Sequence, residues 1–168
     1  MHPSEGMSAL QVALTKLHAG GKFDKESYKF SGGLHGVGIS VVNALSKELT
    51  VIVCQDGKIF EQHYSRGNHL DELTVKGTTD KRGTYVRFMP DEEIFKDTTD
   101  FNFEVLSARL RELAFLNKKL RITIEDERTQ KSHDFFYEGG IVSFVQHINE
   151  KKKKINKRRD RECRAAKT

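Results

Sequence analysis

The stretch Ser31-Gly32-Gly33-Leu34-His35-Gly36-Val37-Gly38 decides how this chain is read. Four glycines fall within seven positions, from Gly32 to Gly38. The pattern that follows, Val37, Ile39, Val41, Val42, Ala44 and Leu45, predicts a buried helix starting directly after the glycines. Glycine accepts positive φ and lets another group approach the backbone closely. The first N–H groups of a helix have no intrahelical partner and favour an anion. Together these are the physics of a phosphate cradle, although by pattern alone a structural turn is an equal alternative. No Gly-Lys-Ser/Thr follows the glycines, which excludes the usual P-loop. They also follow a polar loop instead of a strand, which is wrong for a dinucleotide fingerprint.

Upstream, residues 5–18 place Met7, Leu10, Val12, Ala13 and Leu17 at mostly helical spacing, with Ser4 as the expected N-cap. Gly20-Gly21 ends that helix, and residues 20–36 read as a long polar loop. Lys22 and Lys29 lie in it; lysine is a mobile point charge suited to phosphate oxygens, or simply a solvated side chain. Downstream, residues 49–54 and 59–64 read as strands joined at Gln55-Asp56-Gly57-Lys58, since Asp-Gly supplies the positive φ of a tight hairpin turn. Residues 73–75 and 83–89 add strands. Residues 103–116 read as a helix with Val105, Leu106, Leu110, Leu113 and Phe115 on or near one face. Residues 120–124 and 132–137 form a second β pair, and 140–148 a short helix. Antiparallel runs with separate helices predict an α+β sandwich, a mixed sheet with helices on one face. There are no internal repeats.

The chain has 168 residues, which suits one domain and a tail. The net charge of +5 comes from one end. Residues 151–168 carry ten Lys/Arg against Asp160 and Glu162, or +8, while the other 150 residues carry 19 basic and 22 acidic groups, or −3. A folded nucleic-acid binder would gather basic residues on its body, and that signal is absent here. Residues 151–168 read as a solvated, disordered basic tail. The alternative for the tail is weak, salt-dependent DNA binding, although it has no aromatics for base stacking. No apolar run approaches the roughly 20 residues of a membrane span, and residues 1–6 do not have the form of a signal peptide. Cys54 and Cys163 are far apart, and no Cys/His cluster has zinc spacing, so a cytoplasmic, reducing setting is expected. Cys54, in an apolar strand, reads as core.

Leu17 to Phe23 and Ser27 to Ser46, the latter running Ser-Tyr-Lys-Phe-Ser-Gly-Gly-Leu-His-Gly-Val-Gly-Ile-Ser-Val-Val-Asn-Ala-Leu-Ser, resemble the gyrase B family of type IIA topoisomerases. That family belongs to the GHKL ATPases with heat-shock protein 90, MutL and sensor histidine kinases. Those relatives share a glycine box here without the long lysine-bearing version. The resemblance continues through Gly83-Thr84-Tyr85-Val86-Arg87-Phe88, Arg111 to Asn117 and Tyr137 to Ile141, and covers about residues 2–150. The last two stretches favour gyrase over topoisomerase IV.

The resemblance implies a Bergerat-type ATPase domain over residues 1–150, with the ATP lid at about 20–38. It implies ATP and Mg²⁺ as cofactors. Its partners would be DNA, the gyrase A subunit and a second ATPase domain. By position, Lys22 and Lys29 would face the phosphates. The backbone of Gly33, Leu34, His35, Gly36, Val37 and Gly38 would wrap them, and Thr84 would help hold the adenine. His35 either donates a proton to phosphate or fixes the loop. His18 would fill the end of the first helix. Asn43 either hydrogen-bonds the lid or caps a neighbouring turn.

Three family elements have no counterpart here: the Glu base, the Asn that binds Mg²⁺ and the Asp-Gly-x-Gly that reads adenine. All would precede residue 1, and Glu5 is too late to be the base. No residue is therefore assigned as catalytic base or metal ligand. The chain is expected to be truncated at both ends and inactive in hydrolysis by itself, with an uncovered sheet edge. The competing reading is a non-catalytic nucleotide-binding remnant.

Overall fold

The computed structural model describes residues 6–19 and 36–150. They divide into two compact units, within 1–99 and 100–168.

In the first unit, helix α1 spans Ala9–Thr15. The sequence suggested a start at residue 5 with Ser4 as cap. Instead Gly6 takes φ +64°, and the Ser8 side chain accepts from the Gln11 backbone N–H at 3.1 Å. That satisfies one of the unpaired first-turn donors, so the helix begins after Ser8. Helix α2, Gly38–Ala44, follows the expected period closely. Leu45 alone separates it from strand β1, Ser46–Gln55. Strands β2 (Lys58–Ser65), β3 (Asn68–His69), β4 (Thr74–Thr78) and β5 (Gly83–Pro90) complete the unit. The order is β3-β2-β1-β5, with β4 also on β2.

Each turn fits its backbone. Asp56 (φ +52°) and Gly57 (φ +75°) close the β1–β2 hairpin with two left-handed residues, as the Asp-Gly signal requires. Arg66 (φ +48°) and Gly67 (φ +86°) make a second tight turn into β3. No local signal announces that turn and its two-residue strand, because arginine is not a turn residue. The class is α+β as expected. Where a mixed sheet was anticipated, every strand pair among the described residues is antiparallel. The cause is connection length: these strands are joined by turns and short loops, whereas a parallel pair needs a crossover of a dozen or more residues.

The core of this unit lies between the helices and one face of the sheet. Leu14, Leu49, Val51 and Tyr64 are buried together, with Leu10, Val42, Val53 and Val86 packed around them. Val51 stands opposite both Gln62 and Val86, and Leu49 opposite Tyr64 and Phe88. The period of two therefore sends Leu49, Val51, Val53, Gln62, Tyr64 and Val86 to the face that α1 and α2 cover. Two polar side chains are buried there as well: the Tyr64 hydroxyl donates to Gln62 Oε1 at 2.8 Å, and Gln62 Nε2 donates to the Asp71 carbonyl at 2.9 Å. A corner at the end of β5 is held by charge. Arg66 contacts Asp91 at 2.6 Å and Glu93 at 2.8 Å, and Asp91 accepts from the Glu93 N–H at 3.0 Å.

The second unit contains helix α3 (Phe103–Leu116), the hairpin β6 (Arg121–Asp126) and β7 (Lys131–Phe136), and helix α4 (Ile141–Glu150). Asn102 caps α3 by accepting from the Val105 N–H at 3.1 Å. The buried face of α3 is Phe103, Ser107, Ala114 and Phe115. Val105, Leu106 and Leu113, expected on that face, are exposed. The helix carries two apolar stripes at the same period, and the buried one is selected by β7: Ser107 Oγ meets His133 Nδ1 at 2.6 Å. Phe115 stacks on Tyr137 with ring centroids 3.6 Å apart. No helix among the described residues is long and apolar enough to cross a membrane.

Candidate nucleotide-binding site

Of the residues assigned to the nucleotide, Gly36, Val37, Gly38 and Thr84 are described, all in the first unit. Lys22, Lys29, Gly33, Leu34 and His35 lie outside the described residues.

The glycine stretch enters α2 as its pattern suggested. Gly36 takes φ +59°, where a β-carbon would strain the backbone. Val37 is the N-cap and has no side-chain oxygen to offer, so the start of α2 receives no side-chain cap hydrogen bond. The Ser40 hydroxyl turns back to donate to the Val37 carbonyl at 3.0 Å instead of capping a first-turn N–H. By helix geometry the N–H groups of Gly38, Ile39 and Ser40 then have no intrahelical acceptor. Among the described residues, a β-carbon placed on Gly38 would meet nothing within 4 Å. Serine, threonine, aspartate or asparagine commonly caps a helix start. Valine followed by an open glycine leaves the donors for something else.

Thr84 sits on β5 opposite Val53 of β1. It is two residues before Val86, which packs in the core under the helices. Thr84 therefore points to the same face of the sheet that α1 and α2 cover, and it is exposed. The fold thus puts an exposed hydroxyl and an uncapped helix start on one face.

Asn43 is the residue whose role the sequence left open. It is fully buried, and its Nδ2 donates to the Leu14 carbonyl at 3.0 Å. Leu14 is in the last turn of α1, where carbonyls lack intrahelical donors, so Asn43 closes the end of a neighbouring helix. Among the described residues its Oδ1 has no hydrogen-bond partner. His18, expected to fill the end of the first helix, is exposed beyond it at φ +60°. Cys54 is a half-buried free thiol on β1.

The remaining charged groups hold the fold together. The Glu93 N–H, aided by Arg66, keeps the Asp91 carboxyl below its ordinary range. Asp71 is partly desolvated, which acts upward, but the hydrogen bonds from the His63 ring and backbone prevail and hold it low. Among the described residues no group of three His, Cys, Asp or Glu could hold a metal ion. The N–H groups at the start of α2, which no described side chain caps, fit the oxygens of a phosphate group.

No family model matches the chain. Individual proteins do. The DNA gyrase B protein of Borrelia hermsii is 57% identical over 157 residues, 92% of this chain and 25% of that protein. The DNA gyrase B protein of Thermotoga maritima is 53% identical over 156 residues, 93% of this chain and 24% of that protein. The crystal structure of the 43K ATPase domain of Thermus thermophilus gyrase B, in complex with an aminocoumarin, superposes with a TM-score of 0.73 at 34% identity. It covers 92% of this chain and 38% of that one. The chain thus spans about a quarter of the length of the curated relatives it matches. More than half of the aligned residues are identical to theirs across nearly the whole length of this chain, and its fold matches part of the gyrase B ATPase domain: the chain belongs to the DNA gyrase B family.

Proposed function

We propose that this chain is the ATP-contacting part of a gyrase-type type IIA topoisomerase, in which ATP binding and hydrolysis drive DNA strand passage and supercoiling. The observation that carries the proposal is the start of α2 at Gly36-Val37-Gly38, which no described side chain caps, with Thr84 on the same face of the sheet. In this reading residues 1–150 form one GHKL-type ATPase domain, with the lid at about 20–38. The N–H groups at the start of α2 and the backbone of Gly33 to Gly38 take the β- and γ-phosphates, because a helix start supplies donors and a partial positive charge. Lys22 and Lys29 neutralise the phosphate oxygens. The Thr84 hydroxyl hydrogen-bonds the adenine edge. Mg²⁺, when bound, would shield the phosphate charge. DNA, the gyrase A subunit and a second ATPase domain are the partners in this reading, and the setting is cytoplasmic.

Calorimetric titration of the purified chain with ATP and Mg²⁺, beside Lys29→Ala and with phosphate release followed in parallel, tests the proposal. Saturable binding that Lys29→Ala weakens is the expected result. Binding without phosphate release would assign the chain nucleotide holding alone. Absence of saturable ATP binding would overturn the reading.

A further inference from the structure

Helix α2 joins the sheet through a single residue. It ends at Ala44, β1 begins at Ser46, and Leu45 alone lies between them. The ladder is irregular at the same place, where β1 and β5 shift register between Ser46 and Glu48. The joint is held from outside instead. The Gly67 N–H donates to the Asn43 carbonyl at 3.2 Å and the Arg66 N–H to the Ser46 carbonyl at 2.8 Å, one on each side of Leu45. The Asp91 N–H donates to the Leu45 carbonyl itself at 3.0 Å. A β-carbon on Gly67 would stand 3.6 Å from the Ala44 Cα, so the turn lies directly against the last residue of the helix. The two segments that make these bonds, the 66–67 turn and the residues after β5, are tied to each other by one ion pair. Arg66 Nε meets Asp91 Oδ2 at 2.6 Å, and its Nη2 donates to Oδ1 at 3.2 Å, on a carboxylate that is 2% exposed.

We propose that Arg66 and Asp91 are positioning residues for nucleotide binding: by locking the joint at Leu45 they fix the angle of α2 on the sheet, and with it the span from the first N–H groups of α2 to the Thr84 hydroxyl. This rests on the nucleotide reading above. Thr84 is on β5, which ends at Pro90 and runs straight into Asp91, while α2 runs straight into Leu45. The clamp thus connects the two elements that carry the two groups. The lever is long. The 7 residues of α2 put its start about 10 Å from the joint, so a tilt of about 10° there moves the first N–H groups by about 2 Å. A hydrogen bond is lost once it is stretched about 0.5 Å beyond its usual length. A two-pronged guanidinium on a buried carboxylate resists such a tilt, because it fixes direction as well as distance. ATP presents its phosphates and its adenine as linked halves, and linkage adds affinity only when both halves engage at once. The clamp therefore matters for ATP and little for either half alone. The Lys47–Glu92 pair, 2.9 Å long, also reaches from the joint to the segment after β5, but it is open to solvent and holds little.

Arg66→Met alone would leave the Asp91 carboxylate buried without a partner and endanger folding. The informative variant is therefore Arg66→Met with Asp91→Asn, which removes both charges and keeps an oxygen for the Glu93 N–H. Lys47→Met is the control at the same joint. Two readouts are needed. The first uses no nucleotide: spin labels at Ile39→Cys and Arg87→Cys, both exposed, with Cys54 and Cys163 replaced by serine, report the distance from the start of α2 to β5. The second, on the unlabelled chain with Mg²⁺, is the set of dissociation constants for ATP, pyrophosphate and adenosine. The double variant should broaden or shift the distance distribution and weaken ATP binding by about tenfold, while pyrophosphate and adenosine stay within about twofold. Lys47→Met should leave every readout unchanged. An unchanged distance distribution in the folded double variant overturns the proposal whether or not ATP binds. A changed distribution with unaltered ATP affinity, or with an equal loss for ATP and both halves, overturns its link to the nucleotide. If the wild-type chain binds no ATP, the nucleotide reading fails and this link with it, and the distance readout alone then decides whether the pair sets the angle of α2.

Discussion

Replacing Tyr64 with phenylalanine removes one hydroxyl from the centre of the first unit. Tyr64 is 1% exposed and Gln62 0%, so the hydroxyl and its acceptor are both cut off from bulk water. The hydroxyl donates to Gln62 Oε1 at 2.8 Å, while the other end of that amide is committed to the Asp71 carbonyl at 2.9 Å. The amide cannot turn to rescue its oxygen without abandoning Asp71. Tyr64→Phe thus leaves one buried acceptor unpaired, which costs about 1–3 kcal/mol. Gln62→Leu strands two groups, the hydroxyl and the Asp71 carbonyl, and should cost more. The double variant should cost less than the sum of the two, because neighbours that share a bond couple by about 0.5–3 kcal/mol. Urea unfolding followed by circular dichroism measures all three. With a slope of about 1–2 kcal/mol per molar, a loss of about 2 kcal/mol lowers the midpoint by about 1–2 M. A Tyr64→Phe loss below about 0.5 kcal/mol would refute the argument that this hydroxyl is the amide's needed donor.

Three further outcomes follow from the same structure. Burial, with a smaller push from Asp71, raises the Tyr64 phenol above its ordinary value of 10.0. The folded state then holds its proton more tightly than the unfolded one, so stability should fall as pH rises above about 10, and Tyr64→Phe should flatten that fall in an alkaline unfolding series. Asp91 is shifted the other way, held low first by the Glu93 N–H and then by Arg66. Its contribution is complete above the ordinary value of 3.8 and is lost as pH drops below it; Asp91→Asn should therefore lessen the acid dependence of the unfolding midpoint between about pH 4 and 2. Thr84 is exposed, so Thr84→Val should leave the unfolding midpoint nearly unchanged while weakening ATP binding about two- to tenfold by calorimetry; unchanged affinity would remove Thr84 from the site.

What could be read from the sequence was local. Asp56-Gly57 announced its hairpin, because only a residue pair tolerant of positive φ closes a two-residue turn. The period after Gly36 placed α2 to within a residue at each end. Arg66-Gly67 makes the same kind of turn without a local signal, because its geometry is imposed by contacts that arrive from elsewhere: the Arg66 N–H goes to the Ser46 carbonyl, and its side chain to Asp91 and Glu93. Helix α3 was placed correctly, but its buried face was not. Two apolar stripes compete at one period, and the choice is made by His133, 26 residues away, which meets Ser107. The candidate site shows the same division. Gly36, Val37, Gly38 and Thr84 could be nominated from their motifs, whereas the task of Asn43 depends on Leu14, 29 positions distant, which no local pattern reveals.

The most direct test of the account is an NMR titration of the isotopically labelled chain that compares ATP, pyrophosphate and adenosine. The account predicts that ATP and pyrophosphate both move the backbone amides of Gly36, Gly38 and Ile39, and that ATP and adenosine both move Thr84. Amide shifts for ATP that spare the start of α2, or that pyrophosphate fails to reproduce there, would contradict it.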